Sequence, residues 1–377
     1  MIKIKGEFNE AEIFTNKIDS GTEGLIKKFV NSPVSEGTKI KFMPDVHASK
    51  GSVVGSVIHF KDKFIPGFLG TDIGCGIRAV KFRTEIPIDL NKIDKFIHQN
   101  IPSGEQIYDE PLRNLNDIED SLHSAVSINI DRVRRSLGTL GGGNHFIEID
   151  KDDDGSYWLI VHTGSRYLGS CIENFYHNKA TYYSEKNIPY EFAYLEGELL
   201  DNYLNDVMVA QTYAFINREI ITSRIFREIK KFKFTIEFEM DQPHNFVDVL
   251  FPGVSRETIL RKGAIKMFNN TTCIIPMNMR DGCLICSGTN RIEEWRCSAP
   301  HGAGRLMNRA EAKNSFTLTQ YKKEMEGIFS TCISRDTIDE SPMAYKPMAN
   351  IIEQFDGIIN VDKIIKPIYN FKAGGGK

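Results

Sequence analysis

Four short segments set metal-binding or nucleophilic side chains among glycines: GTDIGCGIR (Gly70 to Arg78), LGGGNHFIE (Leu140 to Glu148), VHTGSR (Val161 to Arg166) and SAPHGAGR (Ser298 to Arg305). A fifth, PHNF (Pro243 to Phe246), adds another histidine. Glycine at this density lets the backbone turn sharply and approach a ligand closely, so the segments read as one assembled site. Asp72 and Cys75 are three residues apart, and a tight turn through Gly74 aims a carboxylate and a thiolate at one metal centre. The bland alternative is a turn aspartate and a buried cysteine. His145, His162 and His244 each stand at the end of a strand-like run or beside Gly, Pro or Asn, and imidazole is the commonest nitrogen ligand of transition metals. One carboxylate, one thiolate and three imidazoles are enough for two divalent ions with positions open to phosphate oxygens, which suits phosphoryl transfer. The donor mixture favours manganese, iron, cobalt or zinc over magnesium and does not choose among those four.

In HGAGR, His301 precedes Gly302, Ala303 and Gly304, whose backbone amides suit a phosphate, with Arg305 one step further. That context fits an imidazole that attacks a nucleotide phosphate and forms a phosphoramidate. The alternative makes His301 a sixth metal ligand. Cys283, Cys286, Cys297 and His301 also spell C-x2-C-x10-C-x3-H, a zinc-like spacing. The apolar run CLIC opposes it, because residues three apart in a strand point to opposite faces. His47, in MPDVHASKG, is either a substrate neighbour or structural, whereas His59, His98, His123 and His177 lack such company. DRVRR (Asp131 to Arg135) and REIKKFK (Arg227 to Lys233) are solvated faces or a local basic patch.

The elements that must position these groups mix without βαβ alternation, which gives an α+β class. Strands are expected at Lys39 to Met43, Ser52 to Phe60, Ile77 to Phe82, Tyr157 to His162, Phe232 to Phe238 and Cys273 to Ile275. Helical spacing joins Ile93, Phe96 and Ile97, and a long helix with a buried face runs from Leu195 through Leu199, Tyr203, Leu204, Val207 and Met208 to Phe215. The 377 residues show no internal repeat or long linker, so one domain spanning 1–377 is expected. A net charge of -3 argues against a broadly basic nucleic-acid surface, so any nucleic-acid contact is local. Seven cysteines without an export signal or an apolar run of membrane-spanning length point to thiols and a cytoplasmic location.

The ordered pieces MPDVH, DIGCG, GGGNHFIE, VHTGSR, HNF, KGAI, PHGAGR, AYK and KPIYNFK resemble the RtcB family of RNA-splicing and RNA-repair ligases over nearly the whole chain. The resemblance implies a single α+β domain of mixed sheets surrounded by helices. It implies GTP and two manganese ions as cofactors, and RNA partners with a 3′-phosphate or 2′,3′-cyclic phosphate end and a 5′-hydroxyl end. An archease-like activator is a further partner it leaves open. On this likeness Asp72, Cys75 (bridging), His145, His162 and His244 hold manganese, and His301 is guanylylated before GMP passes to the RNA 3′-phosphate. Asn144 and Glu148 correspond to nucleotide contacts, Tyr345 and Lys372 to residues enclosing the base, and Arg166 and Arg309 to cations facing the RNA backbone. The chain departs from the family at Asn278, where a serine contacts the nucleotide, and in its terminal AGGGK, which makes Lys377 a second candidate beside Lys372. Two rivals stay open: a phosphoesterase that opens cyclic phosphates without ligation, and an inactive RNA-end-binding module.

Overall fold

Runs of β-branched and aromatic residues build two main sheets. The computed structural model describes residues 1–49, 51–229, 234–250 and 256–373. Among them a seven-stranded, wholly antiparallel sheet has the order Phe234–Pro243, Gly76–Thr84, Tyr157–Thr163, Phe146–Lys151, Ile359–Lys372, Gly282–Gly288, Thr272–Asn278. A six-stranded sheet runs Ile2–Lys5, Glu10–Ile13, Lys39–Ser49, Ser52–Phe60, Thr258–Lys262, Asn245–Val249, with one parallel pair between its second and third strands. Helices Leu90–Asn100, Arg166–Tyr183 and Gly197–Ile229 pack beside the sheets, in keeping with the α+β expectation. No helix among the described residues is long and apolar enough to cross a membrane.

Each expected strand is present, usually longer than its apolar run. The strand expected from Phe232 is described from Phe234, because residues 230–233, with part of the REIKKFK patch, lie outside the described residues. The strand starting at Lys39 continues to Ser49 through a register break between Phe42 and His47. There residues 43–46 face Gly55 alone, and a side chain at Gly55 would meet the Val46 backbone at 3.1 Å. Such a bulge re-aims a side chain; here it is Asp45 that reaches His301.

The long helix corrects one expectation. Leu195 belongs to a two-residue strand, and Met208 and Phe215 are 49% and 42% exposed. The buried stripe runs instead through Leu200, Tyr203, Val207, Ala210, Ala214, Asn217 and Ile221. Met208 and Phe215 each follow a buried stripe position by one residue, a rotation of about 100° away from the core.

The register of the seven-stranded sheet determines where the reactive residues meet. Ile77 pairs with His162, His162 with Phe146, and Gly76 with Pro243, so Cys75, His145, His162 and His244 fall at one end of four neighbouring strands. The long helix locks that end from behind. Asn217 accepts from Gly138 N at 2.6 Å and donates to Thr139 O at 3.1 Å and Gly164 O at 3.2 Å. Arg218, 1% exposed, donates to Gly74 O at 2.7 Å and Thr163 O at 2.9 Å and pairs with both oxygens of Asp241. Replacing Arg218 by Met strands a mostly buried carboxylate and two carbonyls, and is expected to lower unfolding free energy by about 3 kcal/mol or more. Urea denaturation measures this; a loss below about 1 kcal/mol would contradict the locking role.

Candidate active site

The turn after Leu69 carries Asp72 and Cys75, held by Asn245, whose side chain donates to Leu69 O and Asp72 O. Cys75 Sγ lies 3.5 Å from His145 Nε2 and 3.2 Å from His162 Nε2. Asp72 Oδ2 is 3.0 Å from His145 Nε2, and His162 Nε2 is 3.1 Å from His244 Nε2. These contacts form two groups of potential ligands, Asp72–Cys75–His145 and Cys75–His162–His244, which share the thiol. All five residues picked out from the sequence therefore meet at one place.

Two of the imidazoles are oriented by main-chain carbonyls: His145 Nδ1 lies 3.0 Å from Leu140 O, and His162 Nδ1 lies 3.0 Å from Asn144 O. The Asn144 carbonyl assigns the His162 proton to Nδ1 and leaves its Nε2 lone pair facing the cluster, whereas His145 Nδ1 also lies 3.0 Å from the Arg166 guanidinium, a donor. Burial keeps His162 and His244 neutral, as ligands must be. Burial opposes ionisation of Asp72 too, but His145 and Arg166 outweigh it and hold the carboxyl well below the usual range. Burial and the Asp72 charge push the Cys75 thiol up, so a thiolate there needs a cation for company. The residues present fit a pair of borderline-soft divalent ions.

His301 stands beside this cluster, its ring centroid 4.9 Å from that of His244. Its Nδ1 is 2.6 Å from Asp45 Oδ2, which also accepts from the His301 backbone N–H at 3.1 Å. Asp45 is fully buried. Nothing local in MPDVH marks Asp45 beside His47; only the bulge brings it to His301. His47 Nδ1 lies 2.8 Å from Asp45 O, a contact that braces the same bulge.

A cavity of about 610 Å³ opens beside His301, lined by Gly302, Ala303 and Gly304 and by His162 and His244. Asn144, Glu148, Asn278, Tyr345 and Lys372 also line it, as does Arg309. Asn278 spans its own turn: its side chain accepts from Arg280 N and Asp281 N and donates to Asp281 Oδ2. Lys377 lies outside the described residues. Asp72 and Arg166 face the other way, onto a separate recess of about 330 Å³. The half-buried amine of Lys262, in the KGAI segment, sits near Asp72, and desolvation brings its pKa down to about 8.

Glu340 organises the far side of the larger cavity. It accepts from Lys372 Nζ at 2.5 Å and Tyr345 OH at 2.6 Å, and pairs with Arg305 and Arg309. Burial opposes its charge, but Lys372 and Arg309 prevail and its pKa falls to about 2. No residue pattern around DESP marked this hub in advance. The zinc-like spacing does not assemble: Cys283 faces Glu148, while Cys286 packs on the opposite face in a core with Cys273.

A family model described as tRNA-splicing ligase RtcB matches residues 29–129 and 114–373. The chain belongs to the RtcB family. It is 29% identical over 369 residues to the RNA-splicing ligase RtcB of Escherichia coli K12, covering 89% of this chain and 90% of that protein. The tRNA-splicing ligase RtcB of Nanoarchaeum equitans is 26% identical over 395 residues, 82% of each chain. The RtcB match thus runs through both sheets and every segment that contributes to the cluster and the cavity.

Gly164 abuts the cluster, and a Cβ there would meet Asp72 Oδ1 at 2.2 Å. Gly164→Ala is therefore expected to displace Asp72 and lower bound metal per chain by half or more while the chain stays folded. Elemental analysis of the purified protein, with its circular dichroism as the folding control, checks this; full metal content would contradict it.

Proposed function

We propose that this chain is a manganese-dependent RNA ligase that uses GTP to join a 3′-phosphate or 2′,3′-cyclic phosphate end to a 5′-hydroxyl end, in tRNA splicing or RNA repair. RtcB membership supports the ligase class. The observation that carries the chemistry is His301 clamped by Asp45 through Nδ1, beside a cluster of five ligands that share Cys75. With Nδ1 engaged, Nε2 is the nitrogen left to bond phosphorus. Asp45 steadies the positive charge that develops on the ring as the bond forms.

Asp72, Cys75, His145, His162 and His244 would hold the two ions, which supply Lewis-acid polarisation of phosphoryl oxygens. His301 Nε2 attacks the GTP α-phosphorus, the P–O bond to pyrophosphate breaks, and a histidine–GMP phosphoramidate remains. An RNA 3′-phosphate oxygen then takes GMP from the nitrogen, and any cyclic phosphate is opened by water beforehand. Finally the 5′-hydroxyl oxygen displaces GMP from the RNA 3′-phosphate and gives up its proton. Glu148, an acceptor, and Lys372, a donor, line the cavity as required for a base that presents N–H groups beside a carbonyl, as guanine does. Asn144, Asn278 and Tyr345 complete the nucleotide pocket, and Arg166 and Arg309 offer charge to the RNA backbone. The chain acts as one catalytic unit, since its proposed active residues come from Asp45 through Lys372, and its seven free cysteines suit the reducing cytoplasm. An archease-like activator is compatible with this scheme.

Incubation with α-labelled GTP and manganese is expected to give an acid-labile, alkali-stable label on the wild-type chain. His301→Ala abolishes it with metal content intact, and Asp45→Asn slows it by about 10²- to 10⁴-fold, the range spanned by groups that orient or exchange protons with a reacting imidazole. Retained label in His301→Ala would refute the nucleophile. Cys75→Ser is expected to lose metal and ligation together, since a hydroxyl replaces a bridging thiolate poorly; unchanged metal would refute the shared ligand. A cyclic-phosphate oligonucleotide that is opened without joining would support the phosphoesterase instead.

A further inference from the structure

Beneath the cavity floor lie three ionisable groups that the ligation scheme leaves unused or half-used. Phe146, Glu148 and Asp150 alternate onto one face of the strand Phe146–Lys151, and that face packs against Cys283 of the strand Gly282–Gly288. A carboxyl oxygen of Glu148, one of Asp150 and the sulfur of Cys283 lie within 4.8 Å of one another. Glu148 is 2% exposed and Asp150 fully buried. Their circumstances differ. Glu148 touches the cavity and has partners: Asn370 Nδ2 donates to Oε2, and Cys283 Sγ lies 3.7 Å from Oε1. Asp150 is no part of the cavity wall, and neither of its oxygens meets a donor among the described residues.

Two adjacent buried carboxylates, one of them without a donor, do not both stay ionised. A proton on Asp150 removes the second charge and turns its carboxyl into a donor, with a Glu148 oxygen, an acceptor, within 4.8 Å. Burial, followed by the Glu148 charge, pushes Asp150 well above the ordinary carboxylate range. Burial raises Glu148 as well, while Asp150, Asn370, Lys372 and Cys283 work against that rise. The other charged groups facing the pair are Lys366 and Lys372 of the strand Ile359–Lys372, and Lys372 is itself held by Glu340.

We propose that Asp150 is a positioning residue for base recognition: its neutral carboxyl donates a hydrogen bond to Glu148 from below, leaving Glu148 the single anion in the cavity floor with an oxygen presented to the N–H groups of a guanine base. The inference rests on the reading of Glu148 as a base contact. It implies that discrimination for a base with donors on its edge depends on a residue that never touches the base.

The test is equilibrium binding of α,β-methylene GTP and α,β-methylene ATP, which cannot transfer a nucleotide, to the manganese-loaded full chain. Asp150→Leu removes the donor and is expected to weaken guanine-nucleotide binding roughly tenfold, the worth of one hydrogen bond to a charged group, with adenine-nucleotide binding unchanged. Asp150→Asn keeps a donor and is expected to stay within about threefold of wild type. As pH rises, Asp150 loses its proton and the pair repels, so wild-type affinity for the guanine nucleotide falls while that of Asp150→Asn stays level. Equal binding by Asp150→Leu and wild type overturns the proposal. So do equal losses in both variants, the same pH dependence in wild type and Asp150→Asn, or a metal ion that both variants lose from this triplet. Wild-type protein that binds the guanine analogue no better than the adenine one sinks the base reading itself, and this inference with it.

Discussion

The thiol of Cys75 lies 3.5 Å from the imidazole of His145, just before one strand, and 3.2 Å from that of His162, in its neighbour, and every other feature of the site is arranged around that contact. It exists only because the antiparallel register brings His162 level with both Ile77 and Phe146, and Gly76 level with Pro243. A slip of one residue in any of these pairings would turn a ligand to the opposite face. Asn217 and Arg218 of the long helix hold the turns behind that edge, so helix packing, strand register and donor geometry form one constraint.

Charge is divided across the cavity. On one side, buried neutral imidazoles, an ionised Asp72 and a thiol that resists ionisation make a basin for divalent cations. On the other, Glu340 gathers Lys372, Arg305 and Arg309, and Asp339 also pairs with Arg309, so three cations meet two carboxylates. His301 stands between the two, its ring fixed by Asp45.

How much of this was legible in the sequence follows from which interactions are local. The glycine-rich turns that carry Asp72, Cys75, His145 and His301 announce themselves, because a turn's chemistry is written in neighbouring residues. The opposed faces of Cys283 and Cys286 were readable from strand periodicity alone. Asp45 was not: its reach to His301 depends on a bulge opposite Gly55, a tertiary event with no local signature. Glu340 and Asp150 were hidden for a related reason, since a buried carboxyl looks like a surface one until its neighbours are known. The long helix was found but its buried face was misread at Met208 and Phe215, where apolar residues sit one position off the stripe.

The central claim is a dinuclear centre bridged by one sulfur, and anomalous diffraction from crystals grown with manganese tests it most directly. The account predicts two manganese peaks flanking Cys75 Sγ, about 3.5–4 Å apart, one toward Asp72 and His145 and the other toward His162 and His244. A single peak, or peaks remote from that sulfur at saturating manganese, would contradict it.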